Sequence, residues 1–242
     1  MTATGIPTGA DRSLELLERQ VGRPLAEAET PVPVIDLDRL EANLTGLQSY
    51  VDEHGIELWP HTKTHKSPEI GRRQLELGAG GLTVAKTGEA QVFQEAGVPK
   101  ILVHYPPFGA DKWERLADIA ASGVELTVAV DSYEPAEGLS AVLAQRGLKS
   151  ELLVEIDVGL HRTGQTTAGG AVAVAEQLAG LPALEVAGIS CYPGHCRPED
   201  PALTDKLNAV DDFLRETRDA FERAGFRTDR ISGGSKIGRA HV

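Results

Sequence analysis

The sequence alternates short apolar runs with longer amphipathic runs between residues 31 and 233. The apolar runs have the length of buried strands, and the runs between them repeat apolar residues with the period of a helix. Strands separated by helices form parallel β–α–β units, and strands as apolar as these are covered on both faces. Eight strands are predicted, in chain order: Pro31–Leu37, Glu57–His61, Gly81–Ala85, Lys100–Tyr105, Glu125–Asp131, Glu151–Val158, Leu184–Tyr192 and Arg230–Gly233.

The order of these elements favours a (β/α)8 barrel of the TIM type. The competing architecture is a doubly wound open sheet, but no GxGxxG motif follows the first strand. An amphipathic segment, Asp11–Val21, precedes the alternation. The predicted helices are Asp38–Glu53, Ser67–Leu77, Thr87–Ala96, Ala110–Ala121, Glu134–Gln145, Gly169–Ala179 and Pro201–Ala224.

Composition excludes several classes of protein. The net charge is −12 and no basic stripe is present, which argues against a nucleic-acid partner. No apolar run approaches the ~20 residues that a membrane span needs, and the N-terminus has no signal-peptide core, so a cytoplasmic enzyme is predicted. Two cysteines are too few for a disulfide framework.

In a barrel of this kind, chemistry gathers where the strands end and the βα loops begin. That rule selects the polar residues at or just past the predicted strand ends. They are His61, Lys63, His65, Lys86, His104, Asp131, Asp157, His161, Arg162, Tyr192, His195 and Ser232.

The segment WPHTKTHK, residues 59–66, carries the densest group of these residues. Strand alternation would put His61, Lys63 and His65 on one face. Neighbouring cations disfavour the ammonium form of a lysine, so Lys63 could act as an amine nucleophile towards a carbonyl. An aldehyde cofactor with a phosphate would supply the negative charge. The alternatives are a solvated basic loop or a histidine pair in a metal site.

Three later segments add candidate binding groups. In EIDVGLHRTG, Arg162 would lie over the barrel mouth and bind an anion, or it would pair with Asp157 to stiffen the loop. In ISGGS, two glycines would let backbone N–H groups approach a phosphate, although Gly-Gly is also a turn signal.

The segment CYPGHC offers Tyr192 at a strand end and a possible zinc site from Cys191, His195 and Cys196. A closed zinc site needs four ligands, and this spacing matches no standard pair. Buried, inert cysteines are therefore the preferred interpretation.

Together these segments resemble the D-threonine aldolase and D-serine dehydratase family of pyridoxal 5'-phosphate (PLP) enzymes. WPHTKTHK is similar to the family's RPHxKTHK, with Trp59 in place of the arginine, and the other segments are similar to EIDVGxxRxG, YxGH and SGGS. The resemblance spans Gly22 to Ser235. It implies the barrel of the alanine racemase N-terminal domain and a covalent bond between Lys63 and PLP. The implied cofactor-binding residues are Lys63, His61, Arg162, Tyr192, Ser232, Gly233, Gly234 and Ser235.

The resemblance also implies an activity, namely a lyase acting on small D-3-hydroxy amino acids. An aldolase that releases glycine and an aldehyde is favoured over a D-serine dehydratase, and alanine racemase is less favoured. A non-catalytic PLP carrier is the alternative of another class. Family members are homodimers, and a divalent metal (Mn or Zn) is bound in a C-terminal β domain.

The same resemblance divides the chain into three parts. Residues 1–30 are expected to be a helical extension, residues 31–235 an incomplete barrel, and residues 236–242 a non-native tail. The strand Pro31–Leu37 would pair with the C-terminal domain, which leaves seven barrel strands. We expect the chain by itself to be inactive.

Overall fold

Six parallel strands form one sheet in the computed structural model, which describes residues 18–234. Each strand pairs with the next one along the chain, so the order in the sheet is the order in the sequence. This half-barrel confirms the predicted incomplete (β/α) barrel. The strands are β1 (Leu82–Val84), β2 (Lys100–Val103), β3 (Glu125–Val130), β4 (Ser150–Ile156), β5 (Leu184–Cys191) and β6 (Arg230–Ser232).

Helices connect the strands, and each begins and ends within two residues of its predicted bounds. Side-chain caps fix three of the starts. Asp36 accepts from the N–H of Arg39 at 3.0 Å, Ser67 from that of Ile70 at 3.3 Å, and Thr167 from that of Gly170 at 3.0 Å. No helix in the described part of the chain is both long and apolar enough to cross a membrane. The helices are α1 (Leu37–Glu53), α2 (Pro68–Glu76), α3 (Thr87–Glu95), α4 (Ala110–Ala121), α5 (Tyr133–Gln145), α6 (Ala168–Leu178) and α7 (Leu203–Arg223).

The chain divides into two compact units between Gly46 and Leu47, within α1. The described part of the first unit contains a short 3₁₀ turn, Leu25–Glu27, and the start of α1. Most of the predicted amphipathic segment Asp11–Val21 lies outside the described residues. The expected domain boundaries at residues 30 and 235 stay predictions.

The predicted strand Pro31–Leu37 is wrong. Residues 32–36 have no regular secondary structure, and Leu37 already belongs to α1. Pro31 and Pro33 lack a backbone N–H, so two of the seven residues cannot donate to a ladder. Alternating valines indicated a strand, but the apolar pattern alone supplies no hydrogen-bonding partner.

The predicted strand Glu57–His61 is an extended segment that takes the position before β1. Only one bridge joins the two, between His61 and Thr83. Two further backbone bonds hold the segment in place: Gly80 N donates to Leu58 O, and Thr83 N donates to Pro60 O, both at 2.9 Å. Pro60 cannot donate in return, which limits the ladder.

Alternation along the strands separates two apolar layers. One set of side chains packs against the helices and forms the main core. The opposite face holds a smaller cluster of Leu102, Leu153 and Ala187, with Trp59 packed against it. This cluster, which we call the inner cluster, lies on the side of the sheet that faces the barrel interior. It therefore forms a floor below the ends of the strands.

Candidate active site

A cavity of about 770 Å³ lies at the carboxyl ends of the strands. All the predicted site residues that the structure describes line it, although they come from four distant parts of the sequence. Ser235 lies outside the described residues. The predicted residues in the lining are His61, Lys63, Arg162, Tyr192, Ser232, Gly233 and Gly234.

Lys63 lies in a 3₁₀ turn, Thr62–Thr64, that is fastened to β1. The buried Thr62 donates from Oγ1 to Thr83 O at 3.1 Å, and the backbone N–H of Lys63 donates to His61 Nδ1 at 3.3 Å. The predicted strand alternation is wrong here, because Lys63 lies in a turn, and His61 and His65 flank that turn on either side. His61, Lys63 and His65 nevertheless line the same cavity.

The side chains of Lys63 and Arg162 both approach the ring of Tyr192. Lys63 Nζ lies 5.3 Å from the ring centroid, and the guanidinium carbon of Arg162 lies 4.6 Å from it. Both distances allow a cation–π interaction. Gly194 makes room for the ring, since a Cβ at that position would collide with it. Tyr192 therefore brings together residues that the sequence separates by about one hundred positions.

Arg162 is anchored by Glu155, whose carboxylate is almost fully buried. Arg162 Nη2 lies 3.3 Å from Glu155 Oε1, and Thr163 Oγ1 donates to the same oxygen at 2.6 Å. The alternative pairing of Arg162 with Asp157 is not observed. Asp157 instead accepts from the N–H groups of Gly159 and His161, each at 2.9 Å. Burial would raise the pKa of Asp157, but these two donors hold it below its usual value.

His104 lines the cavity immediately after β2, although the predicted cofactor-binding residues did not include it. Its Nε2 atom is buried and has no hydrogen-bonding partner within residues 18–234. Burial lowers the pKa of His104, the cations of Arg162 and Lys63 lower it further, and Glu155 opposes them. His104 is therefore a neutral imidazole near pH 7. Its position at a strand end was the signal in the sequence.

The glycine pair at the end of β6 forms another wall of the cavity. A Cβ at Gly233 would approach Cys191 Sγ to 3.0 Å, and Gly234 has a φ of 141° that favours glycine. Backbone atoms are thus exposed to the cavity where side chains would otherwise cover them.

The segment CYPGHC does not form a metal site. Cys196 Sγ lies 3.6 Å from His195 Nε2, but no group of three or more His, Cys, Asp or Glu side chains in the described region could hold a metal ion. Burial, with a smaller effect of Glu155, raises the pKa of the Cys191 thiol to about 12. The two cysteines are buried thiols, as the preferred interpretation of the sequence held.

Comparison with known proteins relates the chain to a family. A D-threonine aldolase from Arthrobacter sp is 38% identical over 175 residues, which are 72% of this chain and 46% of the relative. A D-threo-3-hydroxyaspartate dehydratase from Delftia sp. (strain HT23) is 34% identical over 140 residues, which are 58% of this chain and 37% of that enzyme.

The fold comparison gives the same relationship. The crystal structure of D-threonine aldolase from Filomicrobium marinum superposes with a TM-score of 0.82 and 31% identity, covering 87% of this chain and 57% of that one. The chain spans about half the length of the relatives it matches. The model of the alanine racemase N-terminal domain matches residues 35–235. The chain therefore belongs to the alanine racemase N-terminal domain family.

Proposed function

We propose that this chain is the PLP-binding part of a lyase that acts on D-3-hydroxy amino acids. The observation that carries the proposal is the convergence of Lys63, Arg162, Tyr192 and the Gly233–Gly234 pair on one cavity. An amine, a fixed cation, an aromatic ring and exposed backbone are the groups that a phosphorylated pyridine aldehyde requires.

The residues present fit that cofactor. The cavity volume of about 770 Å³ is in the range of small-molecule sites. The Gly233–Gly234 pair leaves backbone atoms accessible for a phosphate, and Ser232 adds a hydroxyl beside them. Arg162 offers a permanent charge for the cofactor's phenolic oxygen, because Glu155 holds its guanidinium in place. Tyr192 lines the same cavity and would contact the pyridine ring.

Bound PLP would supply an aldehyde for covalent capture of an amine and a ring that accepts electrons from Cα. Lys63 Nζ is the amine that would bond to the aldehyde carbon. The same Nζ, when not bonded to the aldehyde, would accept or return a proton at the substrate Cα. Arg162 and Tyr192 would orient the ring, and the neutral His104 would add no charge that competes with them.

An aldolase is the favoured reaction, in which the Cα–Cβ bond breaks to give glycine and an aldehyde. The relative with the highest identity reported above is a D-threonine aldolase, which supports this choice. A dehydratase is the second candidate, supported by the D-threo-3-hydroxyaspartate dehydratase. A divalent metal, a homodimer and a cytoplasmic location complete the proposal, and they rest on the family resemblance.

Reduction with borohydride tests the covalent bond. The chain is incubated with PLP, reduced and digested, and the modified peptide is identified by mass spectrometry. We expect the label on Lys63, and we expect Lys63→Ala to remove it. Lys66→Ala is the matched control, because Lys66 lies three residues away and pairs with Glu89 at 3.3 Å. A label on another residue, or none, would falsify the proposal.

Product analysis separates the two reactions. Since the chain by itself is expected to be inactive, the PLP-loaded chain and a full-length relative are both incubated with manganese and D-threonine or D-serine. Glycine identifies an aldolase, whereas a 2-oxo acid and ammonia identify a dehydratase. Bound PLP with neither product, tested in a full-length relative as well, would identify a carrier.

A further inference from the structure

The charged side chains that line the cavity are all basic. Its described lining contains Lys63, Lys86 and Arg162, and it contains neither Asp nor Glu. The whole chain carries a net charge of −12, so this composition is opposite to that of the rest of the protein. A lining with one sign of charge attracts ligands of the other sign.

Two of these three cations already have an assigned role or a charged partner. The proposed function assigns Lys63 to the aldehyde, and Glu155 opposes the charge of Arg162 at 3.3 Å. Lys86, by contrast, makes no ion pair with any Asp or Glu of residues 18–234. It is an exposed side chain immediately after β1, at the rim of the cavity.

Glu89, the acidic residue nearest to Lys86 along α3, already has other partners. Glu89 accepts from the backbone N–H of Ala85 at 3.0 Å and pairs with Lys66 at 3.3 Å. Burial would raise the pKa of Glu89, but that N–H and Lys66 hold it below its usual value, so it stays ionised. Lys86 is therefore left to an anion that enters the cavity.

That anion differs from the phosphate of the cofactor. The glycine pair, whose backbone would bind the phosphate, follows β6, whereas Lys86 follows β1, so two different βα loops supply them. Tyr105, just after the neighbouring strand β2, lines the cavity too, so its hydroxyl is a second polar group on this side. An amino acid that bonds to the cofactor through its amino group brings one further obligatory charge, its α-carboxylate.

We propose that Lys86 binds the α-carboxylate of the amino acid substrate and so makes the site selective for amino acids over other primary amines. This inference rests on the proposed function. An exposed ammonium remains partly hydrated, so its contribution is modest and falls with ionic strength.

A pair of ligands that differ only at the carboxylate tests the role. The PLP-loaded 242-residue chain is titrated with D-threonine and with D-threoninol, in which CH₂OH replaces the carboxylate, and binding is followed by the absorbance of the cofactor. The wild type should bind D-threonine about threefold more tightly than D-threoninol, and salt should reduce this preference. Lys86→Met should abolish the preference without changing the affinity for D-threoninol, and Lys86→Arg should restore most of it.

Lys112→Met is the control, since Lys112 lies on α4 and is not part of the cavity lining. An unchanged preference in Lys86→Met would overturn the inference. Weaker retention of PLP in that variant would also overturn it, because Lys86 would then hold the cofactor. If the wild type forms no adduct at Lys63, the proposed function fails. If the adduct forms and Lys86→Met keeps the preference for D-threonine, the proposed function stands and only this inference fails.

Discussion

Glu155 and Arg162 are seven residues apart in the sequence, and their side chains meet with Arg162 Nη2 3.3 Å from Glu155 Oε1. The carboxylate is 1% exposed, while the guanidinium is 34% exposed and lies over Tyr192. A buried carboxylate is costly unless it is paired, so the pairing of Glu155 with Arg162 stabilises the conformation of the loop between them.

Replacement of Glu155 should therefore act on the cofactor through Arg162. In Glu155→Gln the charge that holds the guanidinium is lost, and we expect the affinity for PLP to fall about tenfold, as for the loss of one charged hydrogen bond. Absorbance titration with PLP measures the effect. Glu151→Gln, on the same strand and paired with Arg230 at 2.7 Å, makes the same change of charge at the far end of β4. Equal losses in the two variants would contradict the assignment.

The lowered pKa of His104 predicts a pH dependence of stability. The unfolded chain binds a proton near pH 6.5, whereas the folded chain binds it only at lower pH. The stability is therefore complete above pH 6.5 and falls as the pH drops towards the pKa of the folded state. His104→Gln should lose less stability than the wild type between pH 7.5 and pH 5.5, measured by urea unfolding. His65, whose pKa is also lowered by burial, keeps part of the dependence in both proteins.

Gly188 should tolerate no side chain. It has a φ of 151°, and a Cβ there would collide with the backbone carbonyl of Arg230 on β6. Gly188→Ala should lower the free energy of unfolding by at least about 2 kcal/mol, because neither backbone can move away without loss of the β5–β6 ladder. Gly169→Ala, in α6 with open space around the Cβ, should instead be neutral or up to about 1 kcal/mol more stable. Chemical denaturation of both variants distinguishes the two cases.

The thiol of Cys191 should resist alkylation. With a pKa of about 12, roughly one thiol in several thousand is ionised at pH 8.5, and the thiolate is the reactive form. In a Cys196→Ser background, iodoacetamide should leave the native protein unmodified for hours and label it rapidly in guanidinium chloride. Mass spectrometry follows the reaction, and fast labelling of the native protein would contradict the buried position.

The helices and the succession of strands along the chain could be predicted because each of these elements has a local signal in the sequence. Apolar periodicity marked the helices, and continuous apolar runs marked β2 to β5, so the barrel class followed from their alternation. The segment at residues 31–37 has the same local pattern but no partner strand among the described residues, and strand pairing is not a property of a single segment. The turn at Thr62–Thr64 was missed for a related reason: its conformation depends on the bond from Thr62 to Thr83, twenty-one residues away.

The candidate site could be predicted in part. Lys63, Arg162 and Tyr192 were identified one motif at a time, yet their meeting on one ring is a tertiary relationship. The anchoring of Arg162 by Glu155 could not be read from the sequence, where Asp157 is the closer acid. The two carboxylates differ in what surrounds them, since backbone N–H groups of the loop occupy Asp157, and Glu155 faces inwards along β4 like Leu153 two residues earlier.

The inner cluster of Leu102, Leu153, Ala187 and Trp59 lies beneath the cavity, on the face of the sheet that points to the barrel interior. A molecule that enters past the ends of the strands passes Lys86 and Tyr105, which line the cavity there. On this route, a molecule that enters second lies between the first molecule and the solvent. An amino acid in this site would slow the dissociation of the cofactor by obstruction alone, and the two should be lost in the reverse order of their arrival.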